Sequence, residues 1–150
     1  MPRDYREIAM KDLREYPSRK AAQQNLKDKI ETLQNRFDGL SCASADTVPV
    51  QGGENRQEER IINNIVERER LKVNYDVNRK LLRIVETGLA ILSDDERKIL
   101  LALSQAGRNR ERYVADRLAD EMNMDRSTVY RMRWDALEKY TIACYGVTEL

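Results

Sequence analysis

The sequence predicts an all-α chain, an N-terminal helical coiled-coil arm followed by a helix-turn-helix domain. Three observations predict it. Charged residues make up 35% of the 150 residues and aromatics only 6%, against roughly 25% charged in an average chain, which is the bias of long solvated helices. Apolar residues recur at three- and four-residue intervals through most of the chain, the period of a helix that buries one stripe. Near the C-terminus, two such stretches are separated only by Asn123, Met124 and Asp125.

The arm occupies residues 1–92. Tyr5, Ile8, Ala9, Leu13 and Tyr16 keep helical spacing until Pro17, and the pattern resumes as Ala22, Leu26, Ile30, Leu33 and Phe37. The second stretch predicts a helix over 18–38, about 20 residues or about 30 Å at the α-helical rise. Residues 39–57, with Pro49 and the pair Gly52-Gly53, have no usable periodicity and read as a flexible loop. From 57 to 92 the apolar positions Ile62, Ile65, Val66, Val73, Val77, Leu81, Ile84, Val85, Leu89 and Leu92 predict a second long helix, interrupted only by Gly88. A helix of about 35 residues spans about 52 Å, so its first half needs a partner. The 18–38 helix folded back antiparallel would serve, and so would a second copy of the chain through 18–38 and 57–92; the sequence leaves both open.

The helix-turn-helix domain occupies residues 93–146. Ser93-Asp94-Asp95-Glu96 fits the capping box, in which the Ser side chain accepts from the N3 amide and the Glu reaches back. That outweighs a catalytic reading of its carboxylates, since acidic residues belong in a first helical turn. The helix it opens carries Ile99, Leu100 and Leu103 and ends near Gly107. Leu118, Ala119 and Met122 then close one helix, and Val129, Met132, Ala136, Leu137 and Tyr140 mark the buried stripe of the next.

Between those two helices each residue type has a reason. Ala119 is small where helices cross closely, and Asn123 tolerates the left-handed conformation better than any residue but Gly. Met124 plugs the angle, and Asp125 is placed to cap the second helix through its side-chain oxygen. Small, left-handed, apolar and capping residues in that order are what a helix-turn-helix needs to place a recognition helix in a major groove. With the stripe turned inward, Ser127, Arg131, Trp134 and Glu138 face outward. The span from Arg126 to Trp134 holds Arg126, Arg131 and Arg133 and no acid. The candidate DNA contacts are Arg126, Ser127, Thr128, Tyr130, Arg131, Arg133 and Trp134, whose donors and rings suit base edges and phosphates. Trp134, the one tryptophan, would pack on a sugar or phosphate edge, meet the arm, or fold under a following turn. Upstream, Arg108, Arg110 and Arg112 surround Glu111 in a connector and are candidate phosphate contacts.

Other chemistries find no support in the residues. The chain has no histidine, which removes the commonest general base and the usual zinc ligand. Cys42 and Cys144 have no CxxC partner, so neither a metal site nor a disulfide framework is expected. No P-loop, nucleophile elbow or phosphate cradle is present, and catalytic residues, metals and cofactors are all expected to be absent. Carboxylates pair with Lys and Arg as helix-surface couples such as Arg112/Asp116 and Arg117/Glu121. The longest apolar runs, such as residues 88–92, fall far short of the roughly 18 residues that cross a bilayer. A cytoplasmic location is expected, with no membrane partner. The formal net charge is +1, which excludes nonspecific coating of nucleic acid. By segment it is +2 for 1–40, −2 for 41–60, +2 for 61–92 and −1 for 93–150, so any DNA contact comes from a sorted local patch.

The run from Leu92 through Tyr140, and above all the string Asp125-Arg126-Ser127-Thr128-Val129-Tyr130-Arg131, resembles region four of bacterial sigma factors. It is most similar to the small ArpU-like and RinA-like late transcription regulators of phages and prophages, which join a helical arm to such a domain. The resemblance covers residues 92–146 closely and the arm in outline. It implies a sequence-specific regulator of phage or prophage genes that binds double-stranded DNA and acts with bacterial RNA polymerase. Two departures stand out: Asn123 replaces the usual turn Gly, and the connector after Gly107 is about four residues longer. The aromatics of residues 1–92 are only Tyr5, Tyr16, Phe37 and Tyr75, too few for the promoter-melting helix of a self-sufficient sigma factor. An alternative from another class is a small terminase-like DNA-packaging subunit, which also combines a helix-turn-helix with a coiled coil.

Overall fold

The computed structural model describes residues 3–43 and 54–150. Among the described residues it is all-helical: α1 (Tyr5–Ala43), α2 (Glu54–Ala90), α3 (Asp94–Gln105), α4 (Glu111–Met122) and α5 (Arg126–Tyr145). The chain divides into two compact units, one made of Met1–Ser18 with Leu81–Leu150 and the other of Arg19–Lys80. The expected boundary at residue 92 differs from this division, because both ends of the arm contribute to the C-terminal core.

Pro17 lies inside α1 and does not end it, against the expectation of a break. A proline in a helix interior removes one backbone hydrogen bond and costs about 3 kcal/mol. Packing on both sides offsets that, since Leu13 is fully buried on one flank and Leu26 half-buried on the other. The division between the units falls one residue after it, between Ser18 and Arg19. The expected loop 39–57 is also shorter, because Gly39–Ala43 and Glu54–Gln57 are helical. Its remainder, 44–53, lies outside the described residues.

In the 19–80 unit, α1 and α2 pair as an antiparallel hairpin. Asn64 Nδ2 donates to the Leu33 carbonyl at 2.9 Å, and Asn78 Nδ2 donates to the Arg19 carbonyl at 2.9 Å and to Gln23 Oε1 at 2.8 Å. Arg68 bonds Gln34 Oε1 and lies 4.6 Å from the Phe37 ring centroid. The α1 stripe is the expected one, with Ala22, Leu26, Ile30, Leu33 and Phe37 all half-buried. The α2 stripe is not. Ile61, Asn64, Arg68, Leu71, Tyr75 and Asn78 are the covered positions, while Ile62, Ile65, Val66, Val73 and Val77 are exposed. A seam with four-three spacing is kept, but half its members are polar.

The other unit has two apolar clusters. Ile99, Leu103, Ala115, Leu118, Ala119 and Val129 form one, joining α3, α4 and the start of α5. The second gathers Ala9, Leu13, Val85, Leu89, Leu92, Leu100, Ala136, Leu137 and Tyr140. Helices α3 and α5 belong to both, α3 through the adjacent Ile99 and Leu100, and α5 through Val129 in its first turn and Ala136, Leu137 and Tyr140 further along. Termini are tied together: Arg3 N donates to the Leu150 carbonyl and Tyr5 N to the Thr148 carbonyl at 3.0 Å, and Arg6 pairs with Glu149 at 2.8 Å. Ser93 Oγ accepts from the Glu96 amide at 3.2 Å as the capping box predicts. The reciprocal half differs, because Glu96 Oε1 accepts from Lys139 Nζ at 2.9 Å. Arg97 Nε and Nη2 close the end of α2 by donating to the Leu89 and Leu92 carbonyls at 3.1 and 3.2 Å. No described helix is long and apolar enough to cross a membrane.

Candidate nucleic-acid interface

The turn between α4 and α5 is built as its residue types require. Asn123 has φ 51° and ψ 49°, the one non-glycine residue with positive φ among those described. Its amide donates to the Asp120 carbonyl at 3.5 Å and the Met124 amide to the Ala119 carbonyl at 3.0 Å. That pair of bonds is the Schellman closure, which satisfies the last carbonyls of a helix. Met124 packs on the cluster that contains Ala119, supplying the apolar contact that goes with such a cap. Asp125 departs from expectation: its backbone is extended, as at an N-cap, but its side chain makes no cap bond. Its carbonyl accepts from Val129 N at 3.1 Å, so the backbone alone starts α5.

Helix α5 shows two faces. Val129, Ala136, Leu137 and Tyr140 are fully buried, while Ser127, Arg131, Trp134 and Glu138 are exposed. Tyr130 and Met132 are half-buried against the α3–α4–α5 cluster, and Thr128 is half-buried. The arginines differ sharply. Arg131 is exposed and, among the described residues, has no carboxylate within ion-pair distance. Arg126 Nη1 lies 3.4 Å from Asp116 Oδ1, and Arg133, only 16% exposed at its side chain, is paired with Glu111. The Arg133 guanidinium also lies 5.4 Å from the Trp134 ring centroid. Trp134 keeps 52% of its surface exposed.

Arg108 and Arg110 occupy the turn before α4, closed by Arg110 N donating to the Gly107 carbonyl at 2.8 Å. Arg112 is in the first turn of α4 rather than in the connector. All three are exposed. Beside them stands Tyr113, 69% exposed, which the sequence reading did not single out. Its signal was present, because it falls off the Ala115, Leu118, Ala119 stripe. Of the expected surface couples, Arg117/Glu121 forms at 3.8 Å, but Asp116 is taken by Arg126. Lys98 of α3 bonds Glu121 at 2.9 Å, and that contact holds the Glu121 carboxyl below its usual range.

Little else in this unit invites chemistry. Cys144 is a free thiol whose pKa is raised by burial, the opposite of an activated nucleophile. Tyr140 is fully buried, and burial, with the neighbouring Cys144 thiol second, raises the pKa of its hydroxyl. Among the described residues no three His, Cys, Asp or Glu side chains are grouped to hold a metal ion. No protein-family model, curated protein or solved structure matches the chain.

Proposed function

We propose that this chain is a sequence-specific, double-stranded-DNA-binding transcription regulator, with the first two turns of α5 in the major groove. One observation carries the reading: the left-handed Asn123 turn sets α4 against a helix whose outer face shows Ser127, Arg131 and Trp134 and no acid before Asp135. Arg131 reads a base edge, Ser127 and Thr128 lie at the helix N-terminus where phosphate is favoured, and Arg108, Arg110 and Arg112 contact flanking phosphates. The resemblance of residues 92–146 to sigma region four supports a phage or prophage regulator that works in the cytoplasm beside host RNA polymerase.

The test is an anisotropy titration of the full chain on a duplex selected from a random pool, repeated across salt concentrations. Arg131→Ala is expected to cost about 1–3 kcal/mol on the selected site and to relax its sequence preference. Arg110→Ala is expected to weaken all sequences alike and to lower the salt slope by about one. If neither change alters binding, this docking is wrong. Light scattering on the same sample separates the packaging alternative, which requires a closed ring of many chains, from a regulator acting as monomer or dimer.

A further inference from the structure

The acid-free face of α5 does not offer three equivalent arginines. Arg131 is exposed, whereas Arg133 is 16% exposed at its side chain, bonded by Nη1 to Glu111 Oε1, and set 5.4 Å from the Trp134 ring centroid. A guanidinium paired with a carboxylate, set over an indole and largely buried has little surface left for a phosphate. The same contacts do something for their neighbour. An exposed indole left to itself would lose rotamer freedom on binding, and a side chain held beforehand avoids that cost. Trp134 is held on the Arg133 side yet leaves 52% of its surface open, and it lies in the third turn of α5, at the edge of the two turns placed in the groove.

We infer that Trp134 is a DNA-contacting residue that takes an apolar edge, a thymine methyl or a deoxyribose, and that Glu111 and Arg133 are positioning residues that hold its ring. This rests on the DNA-binding reading above. It separates the basic residues of the face into one reader, Arg131, and one brace, Arg133. It also gives the acid of the α4 first turn a role opposite to simple repulsion: removing its negative charge loosens the Trp134 contact instead of strengthening the hold on phosphate.

Trp134 is the only tryptophan beside seven tyrosines, so emission excited at the red edge of absorption, where tyrosine does not absorb, reports this side chain alone. Titration with the selected duplex is expected to change that emission, and Trp134→Ala to weaken binding about tenfold, the size of a buried aromatic anchor. Arg133→Ala is expected to weaken binding about threefold with the salt slope unchanged, whereas the phosphate-contact change Arg110→Ala lowers the slope by about one. Glu111→Gln is expected to weaken binding and to alter the free protein's emission as Arg133→Ala does. Uracil in place of thymine at each site position separates the two apolar edges: a loss that Trp134→Ala abolishes assigns the methyl, and no loss assigns the sugar. The inference is overturned if Arg133→Ala lowers the salt slope by about one, if Glu111→Gln tightens binding, or if the wild-type chain binds with Trp134 emission unchanged. A wild-type chain that binds no duplex even at low salt overturns the DNA reading itself, and the Trp134 assignment with it.

Discussion

The two compact units obtain their order from opposite kinds of side chain. In the unit that carries α3, α4 and α5, Leu13, Ile99, Leu100, Leu118, Val129, Leu137 and Tyr140 are all less than 2% exposed, and its two clusters are built from hydrophobic residues. Between residues 19 and 80, no described hydrophobic side chain is fully buried, and the two buried residues are Asn64 and Asn78. Two helices alone cannot enclose a core, so the hairpin half-buries its Leu, Ile and Phe stripe and fixes its alignment with amide donors on α1 carbonyls. The first unit is stabilised by apolar burial and the second is aligned by polar bonds. Trp134 emission reports only the first, and far-UV circular dichroism reports both.

The largest effect is expected from breaking the apolar unit. Leu137 is fully buried and sits in the cluster that joins α1, α2, α3 and α5. Leu137→Ala removes buried methyl groups and leaves a cavity, which costs about 2–5 kcal/mol. Urea unfolding followed by Trp134 emission should show the midpoint fall by that equivalent. A loss below about 1 kcal/mol would mean that the α1 and α2 segments do not pack on this cluster.

A smaller but more pointed effect is expected where α2 meets α5. A Cβ on Gly88 would collide with Cys144 Sγ and lie 2.7 and 2.8 Å from Tyr140 ring carbons. Tyr140 is fully buried and cannot swing away. Gly88→Ala therefore overpacks the core at a cost of about 1–3 kcal/mol, offset by about 1 kcal/mol from better helix propensity. A net loss in the same emission-detected experiment is expected, with partial rescue by adding Cys144→Ala. A stabilised variant would show that the helices are not in such close contact. The glycine that reads as an interruption of the α2 pattern is in fact the place where another helix comes closest.

What could be read in advance divides along the same line. The helices from α3 to α5 and the turn between α4 and α5 were legible because their signals are local: a left-handed Asn123, a Ser93 cap, and an α5 whose inward and outward residues follow helical geometry from one register choice. Contacts between residues far apart in sequence were not legible. Nothing near Ala9 and Leu13 tells that they complete the core around Leu137, and nothing near Glu111 announces Arg133, 22 residues on. The α2 seam was misread for a different reason. Hydrophobicity alone favours Ile62, Val66, Val73 and Val77, but the covered positions include Asn64, Arg68 and Asn78, whose polar atoms find α1 partners that composition cannot reveal.

That misreading supplies the mildest and most specific test of the comparison. Asn64 with Leu33 and Asn78 with Arg19 define the same antiparallel alignment, since each pair of positions adds to the same value. The double change Asn64→Leu and Asn78→Leu removes donors worth about 1 kcal/mol each and adds apolar area worth about as much. Net stability should therefore move by less than about 1 kcal/mol. Helical content by circular dichroism should be kept, and the Trp134 transition should not move. Alignment is what should suffer, because a uniformly apolar seam no longer distinguishes one register, or one copy of the chain, from another. Faster amide hydrogen exchange across residues 57–78, or a rise in mass by light scattering, is the expected outcome. Unchanged exchange in a chain of unchanged mass would show that the half-buried leucines and Phe37 set the register without the two asparagines.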